Sequence, residues 1–170
     1  MTSTNIASDM FQKGMVAFAG QNYTESIDLL SKVIDGDGTH RLAIAARGAA
    51  RLKMGQWKEA ISDFNKTLEV DPDYARAYHL RGLAWEAEGD DERALQDFGK
   101  AIEKSSDYGA AYYSRATLLA KMGRTDDAES DIQVVTRLTN QNIEAFANEN
   151  NLWRSQQMRV ESILETELNR

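Results

Sequence analysis

The stretch ARAYHLRGLAWEAEGDDERALQDFGKAIEKSSDY, residues 75–108, decides the fold, because the chain repeats its plan on both sides at an interval of 34 residues. Gly82 shares a column with Gly14, Gly48 and Ala116; Ala94 with Ser26, Ala60 and Ala128; Phe98 with Leu30, Phe64 and Ile132. The interval never changes, so four copies follow one another without insertion or deletion, and a fifth, partial copy stands behind them. A unit of this length is one helical pair that cannot bury its apolar face alone, so neighbours must stack. Function in such a stack belongs to a surface rather than to a buried catalytic pocket.

Within a unit the spacing is helical. In the second copy Ala43, Ile44, Arg47, Gly48, Arg51 and Leu52 recur at steps of three and four, Gly55-Gln56-Trp57 interrupts, and Ala60, Ile61, Phe64, Thr67 and Leu68 resume. Second helices are predicted near residues 24–35, 58–70, 92–104 and 126–138. Gly55, Gly89 and Gly123 stand at the turn, where a helix C-terminus often needs the left-handed conformation, and the first copy has Gln21 there instead. Small residues in the Gly48 and Ala60 columns let the paired helices approach, and the Phe64 column fills the space beside them.

With 170 residues, 42% of them hydrophobic, and a single proline, the chain can bury one continuous core. It reads as one domain over 1–170, with repeats at about 7–40, 41–74, 75–108 and 109–142 and a last stretch at 143–170. The formal charge of -7 repels phosphate backbones, so no nucleic-acid partner is expected. Zero cysteines exclude disulfides, thiolate metal sites and thiol nucleophiles. Met1 to Gly20 mixes polar residues among apolar ones and shows no signal peptide, and no run of 18 apolar residues occurs anywhere. The expectation is a cytoplasmic chain without membrane insertion; a periplasmic origin would require a signal segment already removed.

Tyr78, Gly82, Trp85, Ala94 and Phe98 in the third copy, with Gly48, Ala60, Phe64 and Pro72 in the second, carry a resemblance to the tetratricopeptide repeat family. The resemblance covers residues 7–142 as four repeats. It implies an all-α, right-handed α-solenoid of four helix-turn-helix repeats plus a C-terminal capping helix. In this family the first helices typically line a concave groove for peptides. The residues on that stripe here are Phe11, Met15, Arg76, His79, Leu80, Leu83, Tyr113 and Thr117, joined by Phe18, Leu42, Ala45, Ala49 and Ser114. Packing between neighbouring helices competes for the same residues, the alanines above all. A subgroup of the family grips C-terminal carboxylates of chaperones with Lys, Asn and Arg. At the matching sites this chain has Phe11, Met15, Ala46, Arg76 and Leu80, of which only Arg76 fits.

The resemblance therefore points to a non-enzymatic adaptor or scaffold for a protein or peptide partner. A secretion-type chaperone masking apolar client segments and a self-associating structural scaffold are the alternatives. From Ile143 to Arg170 there is neither glycine nor proline, which predicts a helix, with Phe146 and Trp153 covering the end of the fourth repeat. Val160, Ile163, Leu164 and Leu168 keep helical spacing beyond it and would suit a homodimer contact.

Arginine recurs at Arg47, Arg81 and Arg115 and aspartate at Asp63, Asp97 and Asp131, both being absent from the first copy, which has Lys13 and Leu29. Their joint presence predicts an ion pair within each hairpin; the rival pairing joins Asp63 to Arg81 and Asp97 to Arg115. Chemistry is otherwise sparse. His40 and His79 have no ligand or base partner in sight, Asp35-Gly36-Asp37-Gly38 lacks the closing glutamate of a calcium loop, and no phosphate-binding glycine loop occurs. No catalytic residue, metal ligand or cofactor is expected.

Overall fold

Why each unit closes as a hairpin is visible at Gly82. A Cβ there would stand 2.6 Å from Phe98 Cε1, so only a hydrogen on that face lets the two helices of the unit meet. Phe64 and Phe98 are fully buried as a result, each contributing about 2–3 kcal/mol relative to exposure. The computed structural model describes residues 3–144, and every regular element among them is α-helical.

The first helices of the four units are α1 (Ser3–Ala19), α3 (Arg41–Lys53), α5 (Ala75–Glu88) and α7 (Gly109–Lys121). The second helices are α2 (Tyr23–Gly36), α4 (Trp57–Val70), α6 (Asp91–Lys104) and α8, described over 125–144. Their starts agree with the predicted ones to within a residue. Gly55, Gly89 and Gly123 adopt φ values of 73°, 90° and 80°, and Gln21 takes φ 62° at the same turn of the first unit. An L-residue pays for that conformation, so the first hairpin carries strain that the other three avoid.

The predicted ion pairs form within each unit. Arg47 donates from Nε and Nη2 to Asp63 at 3.0 and 2.7 Å, while Arg81 to Asp97 and Arg115 to Asp131 use the same two atoms, each at 2.7 Å. Asp63, Asp97 and Asp131 are buried, so these bidentate bonds meet a carboxylate largely removed from water. The bond to Asp97 also holds the Arg81 guanidinium above the ordinary arginine range. The third nitrogen reaches backwards: Arg47 Nη1 donates to Ser31 Oγ at 3.0 Å and Arg81 Nη1 to Asn65 Oδ1 at 2.7 Å. The clamp thus ties the second, third and fourth hairpins and stitches the second and third to the one before.

The expected break between the fourth unit and a capping helix is not found where the sequence placed it, since α8 runs without interruption through 139–144. At the earlier boundaries Asp37 Oδ1 accepts from the Thr39 N–H and Asp71 Oδ1 from the Asp73 N–H, and Ser105 Oγ donates to Asp107, turning the chain. Thr139 in the same column instead donates back to the Val135 carbonyl, a bond made inside a helix. Phe146, Trp153, Val160, Ile163, Leu164 and Leu168 lie outside the described residues.

Candidate functional site

First helices of successive units touch one another, α1 to α3, α3 to α5 and α5 to α7, whereas α2, α4 and α6 make no mutual contacts. The first helices therefore lie on the inside of the curve. What that inner face offers is set by side-chain size in three columns. The second unit brings Ala45, Ala46 and Ala49 to positions where the third brings His79, Leu80 and Leu83. Three missing side chains leave a chamber of about 160 Å³ between α1, α3 and α5. Phe11, Met15 and Phe18 wall it from α1, Leu42 and the alanines floor it from α3, and Leu80, Tyr74 and Arg76 close the far side.

Its walls are apolar and partly wet: Met15 and Leu42 remain 39% and 45% exposed. Phe11 and Ala46 rest on the buried Leu30–Ile44 cluster, and Leu80 on the cluster around Phe64, so the chamber is carved into rigid packing. Arg76 is the one charged residue of the lining, is exposed, and has no ion pair or hydrogen bond among the described residues. Of the residues singled out on the stripe in the sequence, the structure brings Phe11, Met15, Phe18, Leu42, Ala45, Ala49, Arg76 and Leu80 together here.

The other five, His79, Leu83, Tyr113, Ser114 and Thr117, lie elsewhere on the first helices. Leu83 is half-buried against Ala94, Phe98 and Leu118. Tyr113 is 59% exposed on α7, and Thr117, also exposed, donates its hydroxyl to the Tyr113 carbonyl at 2.9 Å. His79 is buried in the α5–α7 contact, its Nδ1 3.0 Å from the Tyr108 hydroxyl and its Nε2 2.9 Å from Ser114 Oγ. Burial, aided by nearby Arg76, lowers its pKa to about 4, so the ring is neutral at pH 7. Burial likewise pushes the Tyr108 hydroxyl up.

Ser114, His79 and Tyr108 have the spacing of a nucleophile, a base and an orienting group. The geometry stops short of acyl transfer: Ser114 sits mid-way along α7, where its N–H is spent on the helix and cannot face an oxyanion. The trio instead seals two repeats with hydroxyls that adapt to either imidazole tautomer. His40, also without a role in the sequence reading, caps α3: its Nδ1 accepts from the Ala43 N–H at 3.2 Å, and its ring lies 4.9 Å from that of Phe11. A signal existed, since His40, Tyr74 and Tyr108 share a column and each precedes a first helix. Among the described residues no group of three or more His, Asp or Glu could hold a metal, and no helix is long and apolar enough to cross a membrane.

Residues 45–110, which take in the three alanines of the chamber floor and the whole third unit, match the tetratricopeptide repeat family. This stretch is made of tetratricopeptide repeats. Solved structures share the chain's helical solenoid. MamA 41-end from Desulfovibrio magneticus RS-1 is 21% identical with a TM-score of 0.74, over 79% of this chain and 76% of that one. TTC0263, a thermophilic tetratricopeptide-repeat protein of Thermus thermophilus, is 19% identical with a TM-score of 0.71, over 79% and 75%. The first such domain of Spaghetti (RPAP3), bound to the HSP90 peptide SRMEEVD, is 24% identical with a TM-score of 0.68, over 72% and 97%. At these identities the likeness is one of fold. No curated protein matches the chain in sequence.

Proposed function

We propose that this chain is a non-enzymatic adaptor that holds a peptide segment of a partner protein in its concave groove. The observation that supports it most is the apolar chamber between α1, α3 and α5, rimmed by one unpaired cation. A preformed apolar recess is where an anchor side chain gains most on binding, since the recess is already shaped. The peptide-bound domain of Spaghetti shows that a solenoid of this kind can hold a peptide. Tyr113 and Thr117 extend the same face into the fourth repeat, where a longer ligand would run.

Capture from a native lysate tests the site. Ala49→Leu refills the chamber with the side-chain size that its column has in the third repeat, and it should weaken partner capture by about tenfold or more. Stability should change by no more than about 1 kcal/mol, because Ala49 is half-exposed and the added methyls have room. Leu80→Glu should act the same way with helicity intact by circular dichroism. A partner that stays bound to both variants would place binding on the convex helices instead.

A further inference from the structure

The two ends of the described stack are finished differently. In the column of Ala43, Ala77 and Ala111, all fully buried where a preceding repeat covers them, the first repeat has Asp9, paired with Lys13 at 2.8 Å. Both side chains of that pair are more than half exposed, which gives the first end a polar outer face. The fourth repeat is left open. Ile132 is 42% exposed where Leu30, Phe64 and Phe98 of the same column are fully buried, and Val135 is half-buried where Val33, Thr67 and Ala101 are buried. What covers these columns elsewhere is the next first helix: Phe64 packs with Ala84, and Phe98 with Leu118.

The sequence holds a match for that open face. Leu152 stands at the same interval from Ile132, in the column of Ala84 and Leu118, and Ala145 stands in the column of Ala43, Ala77 and Ala111. Residues 143–157 thus have the register of a fifth first helix. To lie on their own fourth repeat in that register the chain has to turn at 139–142, as it does at 71–74 and 105–108. It does not turn there: α8 is still running at Glu144, so no antiparallel helix begins at 143. Independently of the groove reading, we propose that a second copy of the chain covers the open end, the two copies exchanging their residues 145–157. Two α8 helices laid antiparallel, with Ile132 of one beside Leu152 of the other, have their symmetry axis near Asn142, where the turn is missing. The contact is isologous, so both open ends are covered at once, and only the turn is dispensed with. The same register sets Arg154 and Arg159 of one copy level with the acidic opening of α8 in the other, at Asp126, Asp127 and Glu129. Head-to-tail stacking would bury the Asp9–Lys13 pair instead, so the assembly stops at two.

Light scattering on the 170-residue chain should give twice the 19.0 kDa of one copy, without growth beyond it as concentration rises. The sequence has no cysteine, so Ile132→Cys combined with Leu152→Cys places a reporter at the junction alone. Its oxidation should give a band of twice the chain's mass on a non-reducing gel. A cross-link inside one chain would show these residues folding back on their own repeat, and no cross-link at all would put the contact elsewhere; either overturns the proposal. So does a wild-type chain that stays monomeric or grows into longer oligomers. Thr139→Asp with Asn140→Pro, Gln141→Asp and Asn142→Tyr installs the turn of residues 71–74. It should convert the dimer into a monomer, and the double-cysteine form of that monomer should close within one chain. A dimer that survives the installed turn overturns the exchange.

Discussion

In the second repeat the positions facing the inside of the curve hold Ala45, Ala46 and Ala49; in the third the same positions hold His79, Leu80 and Leu83. The two repeats otherwise agree closely. Each packs a phenylalanine on a glycine, Phe64 on Gly48 and Phe98 on Gly82, and each closes with an arginine–aspartate clamp. Yet one leaves a recess against its neighbour and the other seals the junction with a buried histidine held by two hydroxyls. Hairpin geometry is thus set by one group of columns and surface chemistry by another, so the second can change without disturbing the first.

The clamp is where that similarity is most easily broken. Asp63 accepts from both Arg47 and Arg51, the latter at 2.7 Å, whereas Asp97 accepts from Arg81 alone. Asp63→Ala should cost about 4 kcal/mol and Asp97→Ala about 3, because each leaves partly buried guanidinium groups unpaired. Urea denaturation monitored at 222 nm measures both. Equal losses would mean that Arg51 adds nothing to the second repeat.

The sealed junction should respond to acid and the open one should not. His79 has its folded pKa lowered to about 4, below the ordinary 6.5. Above pH 6.5 the ring is neutral folded or unfolded and contributes nothing to pH dependence. As pH falls from 6.5 towards 4 the unfolded chain takes up a proton that the folded chain refuses, so stability is lost, by roughly 3 kcal/mol at pH 4. His79→Gln should flatten that part of the profile. Denaturation midpoints at pH 7, 5 and 4 for both proteins give the difference; parallel profiles would show that the buried ring does not govern it.

The smallest effect sharpens the comparison at the next boundary. Arg47 and Arg81 find Ser31 and Asn65 on the preceding repeat, but the matching residue for Arg115 is Gly99, where a Cβ would lie 3.8 Å from Nη1. Gly99→Ser should add about 1 kcal/mol, part from helix propensity and part from the restored bond. Gly99→Ala supplies helix propensity alone, about 0.5 kcal/mol more of it than serine does. A thermal melt that ranks serine below alanine by that full difference would show that the third nitrogen gains nothing from a partner.

Much of this architecture was legible in the sequence because a period needs no tertiary knowledge: Gly14, Gly48, Gly82 and Ala116 announce the close helix contact by recurrence alone. The Arg47–Asp63 pairing was legible for a related reason, since both residues vanish together from the first repeat. The chamber was only half legible. Its apolar stripe shows at helical spacing, but the alanines also read as packing residues, and only their contrast with His79, Leu80 and Leu83 reveals a void. The fate of His79 was hidden because its burial comes from Tyr108 and Ser114, a full repeat away in sequence. The run of α8 across residue 139 escaped because Thr139 resembles the turn residues of its column while bonding as a helical one.

The backward-reaching arginine nitrogens have a mechanical consequence. On the outside of the curve α2, α4 and α6 do not touch, so the bonds from Arg47 to Ser31 and from Arg81 to Asn65 act as tethers that limit how far neighbouring hairpins can splay. With Gly99 at the next position that arginine bond is missing, and the third and fourth hairpins are joined instead by exposed Lys121, whose Nζ donates to Asp91 at 3.2 Å, and by the buried His79 on the inner side. The first two intervals are thus held by arginines anchored on partly or wholly buried aspartates, and the recess between those hairpins keeps its shape.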